Sequence, residues 1–455
     1  MKVAKFGGSS VSNAKQIKKV LKIVNDDPER KIIIVSAPGK RFSDDIKTTD
    51  LLIRLYEKVI NNIDYQHKKQ EIVQRYADIV EELDMERDIL TTIDETLEKY
   101  IYELKDKPAR LYDAIVSCGE DFNAQLIAAY NNSQGIPTKY ISPKDAGILV
   151  TDLPKQAQIL DSAYEQIYKL NNYKEKLIIP GFFGVSKHHF IVTFPRGGSD
   201  ITGAIIARGV RASLYENFTD VSGIFKANPN IIKNPEIIEE ITYREMRELS
   251  YAGFSVFHDE ALQPLHKDRI PVVIKNTNRP QDKGTFIVHD REINSKNVIS
   301  GISCDKDFTV INIKKYLMNR QVGFTRKILG VLEDYNISFD HMPSGIDNIS
   351  LVMRSDQIRD VESRVLNDIQ KYCDVDELSI DHDLAILMIV GEGMNRVIGT
   401  ASKITHALAE SNINLKMINQ GASEISMMFG IKLEDAEKAV KATYEFCYHG
   451  ICIKD

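Results

Sequence analysis

The chain has 455 residues, which at roughly 100–200 residues per domain excludes a single small domain and predicts two to four. Hydrophobic residues make up 43% and charged residues 27%, a balance typical of a folded protein. The 59 basic and 65 acidic residues leave a net charge of −6. Because no overall basic field attracts nucleic acid or an anionic membrane, we expect neither as a partner, and small-molecule chemistry is the leading class of function.

Five cysteines are scattered along the chain without the spacing of a zinc site, so neither a disulfide framework nor a resident metal site is predicted. Such cysteine usage fits a reducing cytoplasm. The first residues lack an apolar run of signal-peptide length, and no segment approaches the roughly 18 apolar residues of a membrane helix. The sequence therefore predicts a cytoplasmic protein that is neither secreted nor membrane-spanning.

Short β-branched runs alternate with helical stretches before residue 290. The predicted strands lie at residues 3–6, 32–35, 114–117, 177–179, 190–194, 214–218 and 272–275. Strands that alternate with helices favour a largely parallel sheet covered on both faces. Between residues 50 and 107 the pattern becomes long, charged and periodic at helical spacing, which predicts an all-helical insert.

The chain changes character near residue 290, and the part that follows contains an internal repeat. A shift of 76 residues lays 327–353 over 403–429 without a gap, with eight of the 27 pairs identical where chance gives about two. Each copy is typical of a strand, a glycine turn, a helix and two further strands; Gly323 opens the first helix and Asn336 ends it. These two α/β modules are either a duplicated structural cap or a pair of ligand sensors.

A glycine turn follows the first predicted strand. Lys5 lies in that strand, and Gly7, Gly8 and Ser9 come directly after it, ahead of a predicted helix that begins near Asn13. Unhindered glycine amides beside an ammonium group can form a phosphate cradle. The alternative is an ordinary turn between a strand and a helix.

Three further polar segments follow predicted strands. Arg196 can grip a carboxylate or phosphate, Asp200 can orient Lys5 or a metal ion, and Glu120 can hold an ammonium group. Residues 219–223 end another strand. Because ligands bind beyond the carboxyl ends of strands in open α/β sheets, these groups are predicted to share one crevice. The alternatives are a surface ion pair between Arg196 and Asp200 and a solvated glutamate at a helix start.

These segments together resemble the aspartate kinases, members of the amino-acid kinase superfamily with tandem ACT domains. The resemblance covers nearly the whole chain and rests on residues 5–11, 35–37, 48–52, 117–120, 196–200, 219–224 and 273–277, in the family's order. It implies an α/β fold with an amino-acid-kinase-type three-layer sandwich around a largely parallel sheet, followed by two ferredoxin-like ACT modules. The implied boundaries are a catalytic domain at 1–290, a linker and shared strand at 291–305, and ACT domains at 306–378 and 379–455.

The implied reaction transfers the γ-phosphoryl group of ATP, with Mg²⁺ on its phosphates, to the side-chain carboxylate of L-aspartate. It is the first step of lysine, threonine and methionine biosynthesis. The resemblance makes Lys5 and Asp200 catalytic. It assigns aspartate binding to Ser36, Thr49, Glu120, Arg196, Gly198 and Ser199. It assigns ATP binding to Lys5, Gly7, Gly8, Ser9, Thr219, Asp220, Phe225 and Lys275.

The resemblance also implies feedback inhibition through the repeat, by lysine with or without threonine. The implied effector site comprises Met318, Gly323, Phe324, Thr325, Phe339 and Asp340. ACT modules of this family pair across subunits, so a homodimer or higher homo-oligomer is expected. Two alternatives stay open: a kinase of the same fold for another acceptor, such as acetylglutamate or a nucleoside monophosphate, and a catalytically silent amino-acid sensor.

Overall fold

The computed structural model of the chain describes residues 1–195, 197–254, 259–293, 298–421 and 423–450. Within these ranges, none of the helices has the length and apolar character needed to cross a lipid bilayer. The chain divides into two compact units. The first comprises residues 1–224, 237–247 and the described part of 255–291, and the second comprises 225–236, 248–254 and the described part of 292–455.

The first unit is built on a large sheet and a small one. Its strands are β1 (Lys2–Phe6), β2 (Arg30–Val35), β3 (Thr138–Tyr140), β4 (Leu149–Val150), β5 (Lys176–Pro180), β6 (Phe183–Ser186), β7 (Ile191–Thr193), β8 (Leu214–Thr219), β9 (Glu240–Thr242), β10 (Val272–Asn276) and β11 (Thr285–Val288). Eight of them form a sheet in the order β3-β5-β2-β1-β8-β10-β11-β9, and β4, β6 and β7 form the other. Only β10 and β11 pair antiparallel in the large sheet, so its largely parallel character is confirmed.

Helices cover both faces of the large sheet. They are α1 (Ala14–Asn25), α2 (Thr48–Ile60), α3 (Gln66–Glu82), α4 (Asp88–Leu104), α5 (Pro108–Ser133), α6 (Ala163–Tyr168), α7 (Gly198–Gly209), α8 (Tyr243–Tyr251), which ends in the second unit, and α9 (Asp259–Lys267). Side chains of α1 to α5 share one buried core with Ala4, Phe6, Ile33 and Val35 of the sheet. The opposite face packs against α7, which in turn contacts α6 and α9. The predicted three-layer arrangement is confirmed.

The strand predicted at residues 114–117 is wrong, because these residues lie inside the long helix α5. The run of Ala114, Ile115 and Val116 is buried together with most of that helix. A helix buried on nearly all sides loses the polar face that would reveal its period, so a short apolar run cannot be told from a strand. Pro108 in its first turn was the available signal for a helix start. The helical character predicted for residues 50–107 is confirmed by α2, α3 and α4.

The second unit contains one five-stranded antiparallel sheet. Its strands are β12 (Gly301–Lys314), β13 (Asn348–Arg354), β14 (Glu377–Val390), β15 (Met417–Gln420) and β16 (Ser426–Lys432), in the order β13-β12-β14-β16-β15. Its helices are α10 (Phe324–Asp334), α11 (Ser355–Ile358), α12 (Glu362–Cys373), α13 (Thr400–Glu410) and α14 (Ala436–Tyr444). The two copies of the repeat have separate hydrophobic cores, one around α10 and α12 and one around α13 and α14.

The long strand β12 serves both copies. Its first part, Gly301 to Asp305, pairs with the end of β14, whereas Phe308 to Lys314 pairs with β13 and the start of β14. Gly323 and Gly399, at equivalent places, have positive φ angles of 81° and 89° where α10 and α13 begin. The copies differ after the helix, because residues before β13 form only isolated bridges where the second copy has β15.

Candidate active site

The active-site candidate lies where neighbouring parallel strands of the large sheet end. The strands β2, β1, β8 and β10 lie side by side with their carboxyl ends at one edge. The predicted glycine turn, residues 36–37, Thr219 and Lys275 follow or end these strands. A single edge of the sheet therefore collects the glycine turn, residues 36–37, Thr219 and Lys275, as expected for an open α/β sheet.

A buried ion pair stands at the centre of this edge. Lys5, near the end of β1, is 7% exposed, and its Nζ lies 2.5 Å from Oδ1 of Asp200 in the first turn of α7. Asn217 of β8 joins the pair, since its Nδ2 donates to Asp200 Oδ1 at 2.9 Å and its Oδ1 accepts from Lys5 Nζ at 3.4 Å. The prediction that Asp200 can orient Lys5 fits this geometry. A buried ammonium at a strand end is a ready partner for an incoming anion.

The glycine turn is anchored to the sheet. The Gly7 amide donates to the Phe218 carbonyl oxygen at 3.1 Å, so it is already engaged and is not the free donor that the sequence suggested. The hydroxyls of Ser10 and Thr277 lie 2.6 Å apart and tie the turn to the end of β10. Residues 8–11 form a short 3₁₀ helix ahead of α1. The sequence predicted a turn at this place but not its 3₁₀ conformation.

Glu120 lies in the middle of α5 and is buried, in contrast to the solvated glutamate considered from sequence. The helix comes close to the end of β2 through Gly119, where a Cβ atom would lie 2.8 Å from the Cβ of Ala37. Among the described residues, Oε2 of Glu120 has no hydrogen-bond partner. Burial raises the pKa of Glu120 to about 8, an effect that the Ala37 amide only partly offsets. A buried carboxyl with one oxygen left without a hydrogen-bond partner is suited to binding a cation.

Two more predicted residues lie at the two ends of the segment that joins β2 to α2. Asn123, one helical turn beyond Glu120, donates from its Nδ2 to the Ser36 carbonyl oxygen at 2.7 Å. Thr49, in the first turn of α2, is half-buried. The bond from Asn123 holds Ser36 beside the helix that carries Glu120.

The N-terminal end of α7 supplies the predicted glycine–serine pair. Gly197 adopts a left-handed conformation with φ of 82°, and Gly198 and Ser199 open the helix. Ser199 packs against Gly181, which follows β5, so closely that a Cβ atom on Gly181 would lie 2.7 Å from the Ser199 hydroxyl. Arg196, predicted to bind aspartate, lies outside the described residues.

The predicted nucleotide residues are more dispersed. Thr219 donates from its hydroxyl to Asp220 Oδ1 at 3.2 Å at the exposed end of β8. Lys275 is in register with Phe218, whereas Lys5 is in register with Asn217, so the two lysines lie on opposite faces of the sheet. Burial lowers the pKa of Lys275. Phe225 belongs to the second unit.

The predicted effector residues all lie in the first copy of the repeat. Met318 and Phe324 are buried in its core, so their side chains are occupied by packing. Asp340 accepts a hydrogen bond from the Tyr251 hydroxyl, and its amide donates to the Val352 carbonyl oxygen at 2.8 Å. Phe339 is 39% exposed beside it.

Several residues of the site were missed by the sequence reasoning. Asn217 and Asn123 bond to residues that had been identified, and Ser10 and Thr277 bond to each other. Glu216 and Asn217, two polar residues inside a buried central strand, were the clearest available signal, because such residues need partners. Across the described ranges, no cluster of three or more His, Cys, Asp or Glu side chains is arranged to hold a metal ion.

Comparisons with known proteins assign the two parts of the chain. The amino acid kinase family model matches residues 1–276, and an ACT domain model matches residues 387–445. The chain is 46% identical over 454 residues to aspartokinase 3 of Bacillus subtilis, with all of both chains covered. The crystal structure of Clostridium acetobutylicum aspartate kinase superposes with a TM-score of 0.88 at 42% identity, covering 98% of this chain and 99% of that one.

Escherichia coli aspartokinase III, whose crystal structure contains aspartate and ADP, has the same fold. Its TM-score is 0.77 at 23% identity, covering 98% of this chain and 99% of that one. The chain therefore belongs to the amino acid kinase family. Its full-length similarity to aspartokinases makes it an enzyme that phosphorylates aspartate and is regulated through an ACT region. The aspartate kinase prediction is confirmed.

Proposed function

We propose that the carboxyl edge of the large sheet transfers the γ-phosphoryl group of ATP to the side-chain carboxylate of L-aspartate, giving 4-phospho-L-aspartate and ADP. The observation that carries this assignment is the coexistence, at one edge, of the buried Lys5–Asp200 pair and the buried Glu120 carboxyl, whose Oε2 has no hydrogen-bond partner among the described residues. The first is suited to phosphate and the second to an ammonium group. An amino acid and a nucleotide are thereby brought together by opposite charges.

On the phosphate side, Lys5 neutralises the transferred group, and Asp200 with Asn217 holds the ammonium of Lys5 in place. Gly8 and Ser9 supply hydrogen-bond donors from the turn. The aspartate side chain is already ionised near pH 7, so Asp200 has no proton to remove and acts by positioning. Catalysis then consists of alignment and charge neutralisation, as phosphoryl transfer requires.

On the aspartate side, Glu120 pairs with the ammonium group of the substrate. Arg196 binds a substrate carboxylate through its guanidinium fork, for which Lys is no equivalent. Hydrogen bonds come from Ser36 after β2, from Thr49 in the first turn of α2, and from Gly198 and Ser199 at the start of α7. Glu120 and Arg196 together distinguish aspartate from acceptors that lack a free ammonium group.

ATP is held by the glycine turn and by Thr219, Asp220 and Lys275. Mg²⁺ is proposed to enter with the ATP phosphates, because it commonly keeps several waters and binds substrate oxygens rather than a dedicated protein cage. The lack of an acidic or histidine cluster among the described residues fits that mode. When bound, the ion neutralises phosphate charge.

The effector site is proposed to lie in the first copy of the repeat, with lysine, alone or with threonine, as the inhibitor. Asp340 is the group suited to a lysine ammonium. The equivalent stretch of the second copy, residues 394–401, lines a cavity of about 270 Å³, which supports small-molecule binding at this place in the module. The second copy has Lys416 where the first has Asp340, so the two copies differ in the charge they offer.

A homodimer formed through the repeat is supported by two equivalent exposed side chains. Val322 is 99% exposed and Ile398 is fully exposed, and each precedes the glycine that opens a module helix. Apolar side chains repeated at matched positions favour an interface between copies of this chain.

The test is ADP release from ATP and Mg²⁺ with L-aspartate, beside glutamate, acetylglutamate and UMP, each with and without lysine and threonine. Turnover with aspartate alone, suppressed by lysine, is the expected result. Turnover only with another acceptor would show that Glu120 and Arg196 do not select aspartate, and aspartate turnover without suppression would remove the effector assignment.

A further inference from the structure

A buried arginine of the helical insert is bonded to the loop that joins β2 to α2 (residues 36–47, the β2–α2 loop). Arg75 of α3 is 3% exposed. Its Nη1 donates to Asp45 Oδ2 at 2.6 Å, and its Nη2 donates to the carbonyl oxygens of Gly39 at 3.2 Å and Ile46 at 2.6 Å. One guanidinium therefore holds three points of the loop. Because a buried charge is costly without such partners, the loop conformation and the position of Arg75 depend on each other.

The β2–α2 loop leads directly to the aspartate side of the site. The Thr48 amide donates to the Pro38 carbonyl oxygen at 3.2 Å, which closes the loop immediately before Thr49. At the other end, the Gly39 amide donates to the Gly8 carbonyl oxygen at 2.9 Å. A shift of the loop would therefore move Thr49 at one end and residues 36–37, which contact α5 beside Glu120, at the other.

The next residue of α3 supports the other half of the aspartate side. Tyr76 is fully buried, and its hydroxyl donates to the Gly119 carbonyl oxygen at 2.8 Å, directly before Glu120. Its ring also packs edge-on against Phe122, with centroids 5.9 Å apart. Adjacent residues of one helix thus contact the loop before Thr49 and the helix that carries Glu120.

The phosphate side of the site has anchors that do not involve α3. The glycine turn is bound to the sheet through Gly7 and Phe218 and through Ser10 and Thr277. Neither bond involves the β2–α2 loop, which reaches the turn through the hydrogen bond from Gly39 to Gly8. A disturbance that starts at α3 is therefore expected to reach the aspartate side more strongly than the ATP side.

We infer that Arg75 and Tyr76 are positioning residues for aspartate binding, so that the helical insert sets the affinity for the amino-acid substrate. The inference rests on the proposed function, because it takes Thr49 and Glu120 as aspartate-binding residues. Neither Arg75 nor Tyr76 is required to touch substrate. They act through the backbone of the β2–α2 loop and of α5.

The test is steady-state kinetics of the full chain carrying Arg75→Lys or Arg75→Met. Lysine keeps the charge opposite Asp45 but cannot reproduce the planar fork that reaches two carbonyls. Arg75→Lys should therefore retain more thermal stability than Arg75→Met while its KM for aspartate still rises by about tenfold, the scale expected for a small misplacement of a substrate contact. KM for ATP should change less than KM for aspartate, because the glycine turn keeps its bonds to Phe218 and Thr277.

Two control variants separate positioning from general destabilisation. Lys69→Met removes a buried cation of the same helix that pairs with Asp94 and Glu98 of α4 at 2.8 and 2.7 Å and bonds nothing in the loop. Arg41→Ala removes a partly exposed partner of Asp45 and leaves the bonds of Arg75 in place. Both should keep the wild-type KM for aspartate. An equal rise with Lys69→Met, or a wild-type KM with Arg75→Lys, would overturn the inference.

If neither Arg75 variant folds, the inference is tested with Tyr76→Phe, because this substitution removes one hydroxyl from an otherwise unchanged ring. It should raise KM for aspartate and leave KM for ATP nearly unchanged, and a wild-type KM for aspartate would overturn the inference. The wild-type enzyme tests the proposed function separately. If it showed no turnover with aspartate, the functional assignment itself would fail before any variant was compared.

Discussion

Glu120 offers a test in which stability and substrate affinity move in opposite directions. Replacing it with glutamine keeps the size of the side chain and removes its ability to ionise. Burial raises the pKa of the Glu120 carboxyl from 4.5 to about 8. Between these two values the folded protein keeps a proton that the unfolded chain has lost, so folding takes up a proton and becomes less favourable as pH rises.

The size of the effect follows from the width of this pH window. Below pH 4.5 the carboxyl is protonated in both states, and its full contribution to stability is present; that contribution is lost as pH rises toward 8. At about 1.4 kcal/mol per pH unit, a window of roughly 3.5 units corresponds to about 5 kcal/mol. Glu120→Gln does not lose stability in this way, because glutamine has no proton to release over this pH range. The variant should therefore match the wild type near pH 4.5 and exceed it by several kcal/mol at pH 8.

The assay is denaturant unfolding of both proteins at pH 5, 6, 7 and 8, with Glu57→Gln, an exposed position of α2, as a matched control. The difference in unfolding free energy should widen with pH for Glu120→Gln and stay constant for the control. In kinetics, Glu120→Gln should raise KM for aspartate by on the order of a hundredfold, because the substrate ammonium loses a buried ionic partner. A pH-independent stability difference would refute the reasoning, since it would mean that Glu120 is already ionised in the folded protein.

Three other predictions concern catalysis, regulation and assembly. Lys5→Met should lower kcat by about a thousandfold or more while the protein still folds and binds effector, because the transferred group loses its cation; kinetics beside circular dichroism check this, and loss of folding would make Lys5 structural. Asp340→Ala should abolish inhibition by lysine without changing uninhibited turnover, as measured by titration of lysine; an unchanged inhibition curve would exclude Asp340. Val322→Asp combined with Ile398→Asp should convert dimers to monomers in sedimentation equilibrium, and an unchanged mass would place the interface elsewhere.

Many strands and helix starts could be predicted from short segments of sequence, because the residues that specify them are neighbours along the chain. Six of the predicted strands coincide with strands of the structure, since β-branched runs bounded by turns report strands directly. Gly323 and Gly399 mark two helix starts because the backbone there needs a positive φ angle. The repeat was visible because both copies meet the same packing demands.

Helix α5 shows where such local reasoning ends. Residues 114–117 look like a strand because burial on nearly every side hides the helical period. The same burial gives Glu120 its unusual character, since an unpaired carboxyl away from water is ionised only at a cost. Neither the helix nor the raised pKa of Glu120 follows from its neighbours in sequence.

The amino-acid sequence by itself determined which residue types stand at the strand ends and that two similar modules follow a larger α/β domain. Only the tertiary structure decided which of these residues meet. Ser10 and Thr277 bond although 267 positions separate them, and Lys5 reaches Asn217 across 212. Such contacts depend on the order of strands in the sheet, which comes from packing of the whole chain. The role of Arg75 likewise depends on tertiary structure, because a buried charge is stable only with the hydrogen-bond and ion-pair partners that the fold places around it.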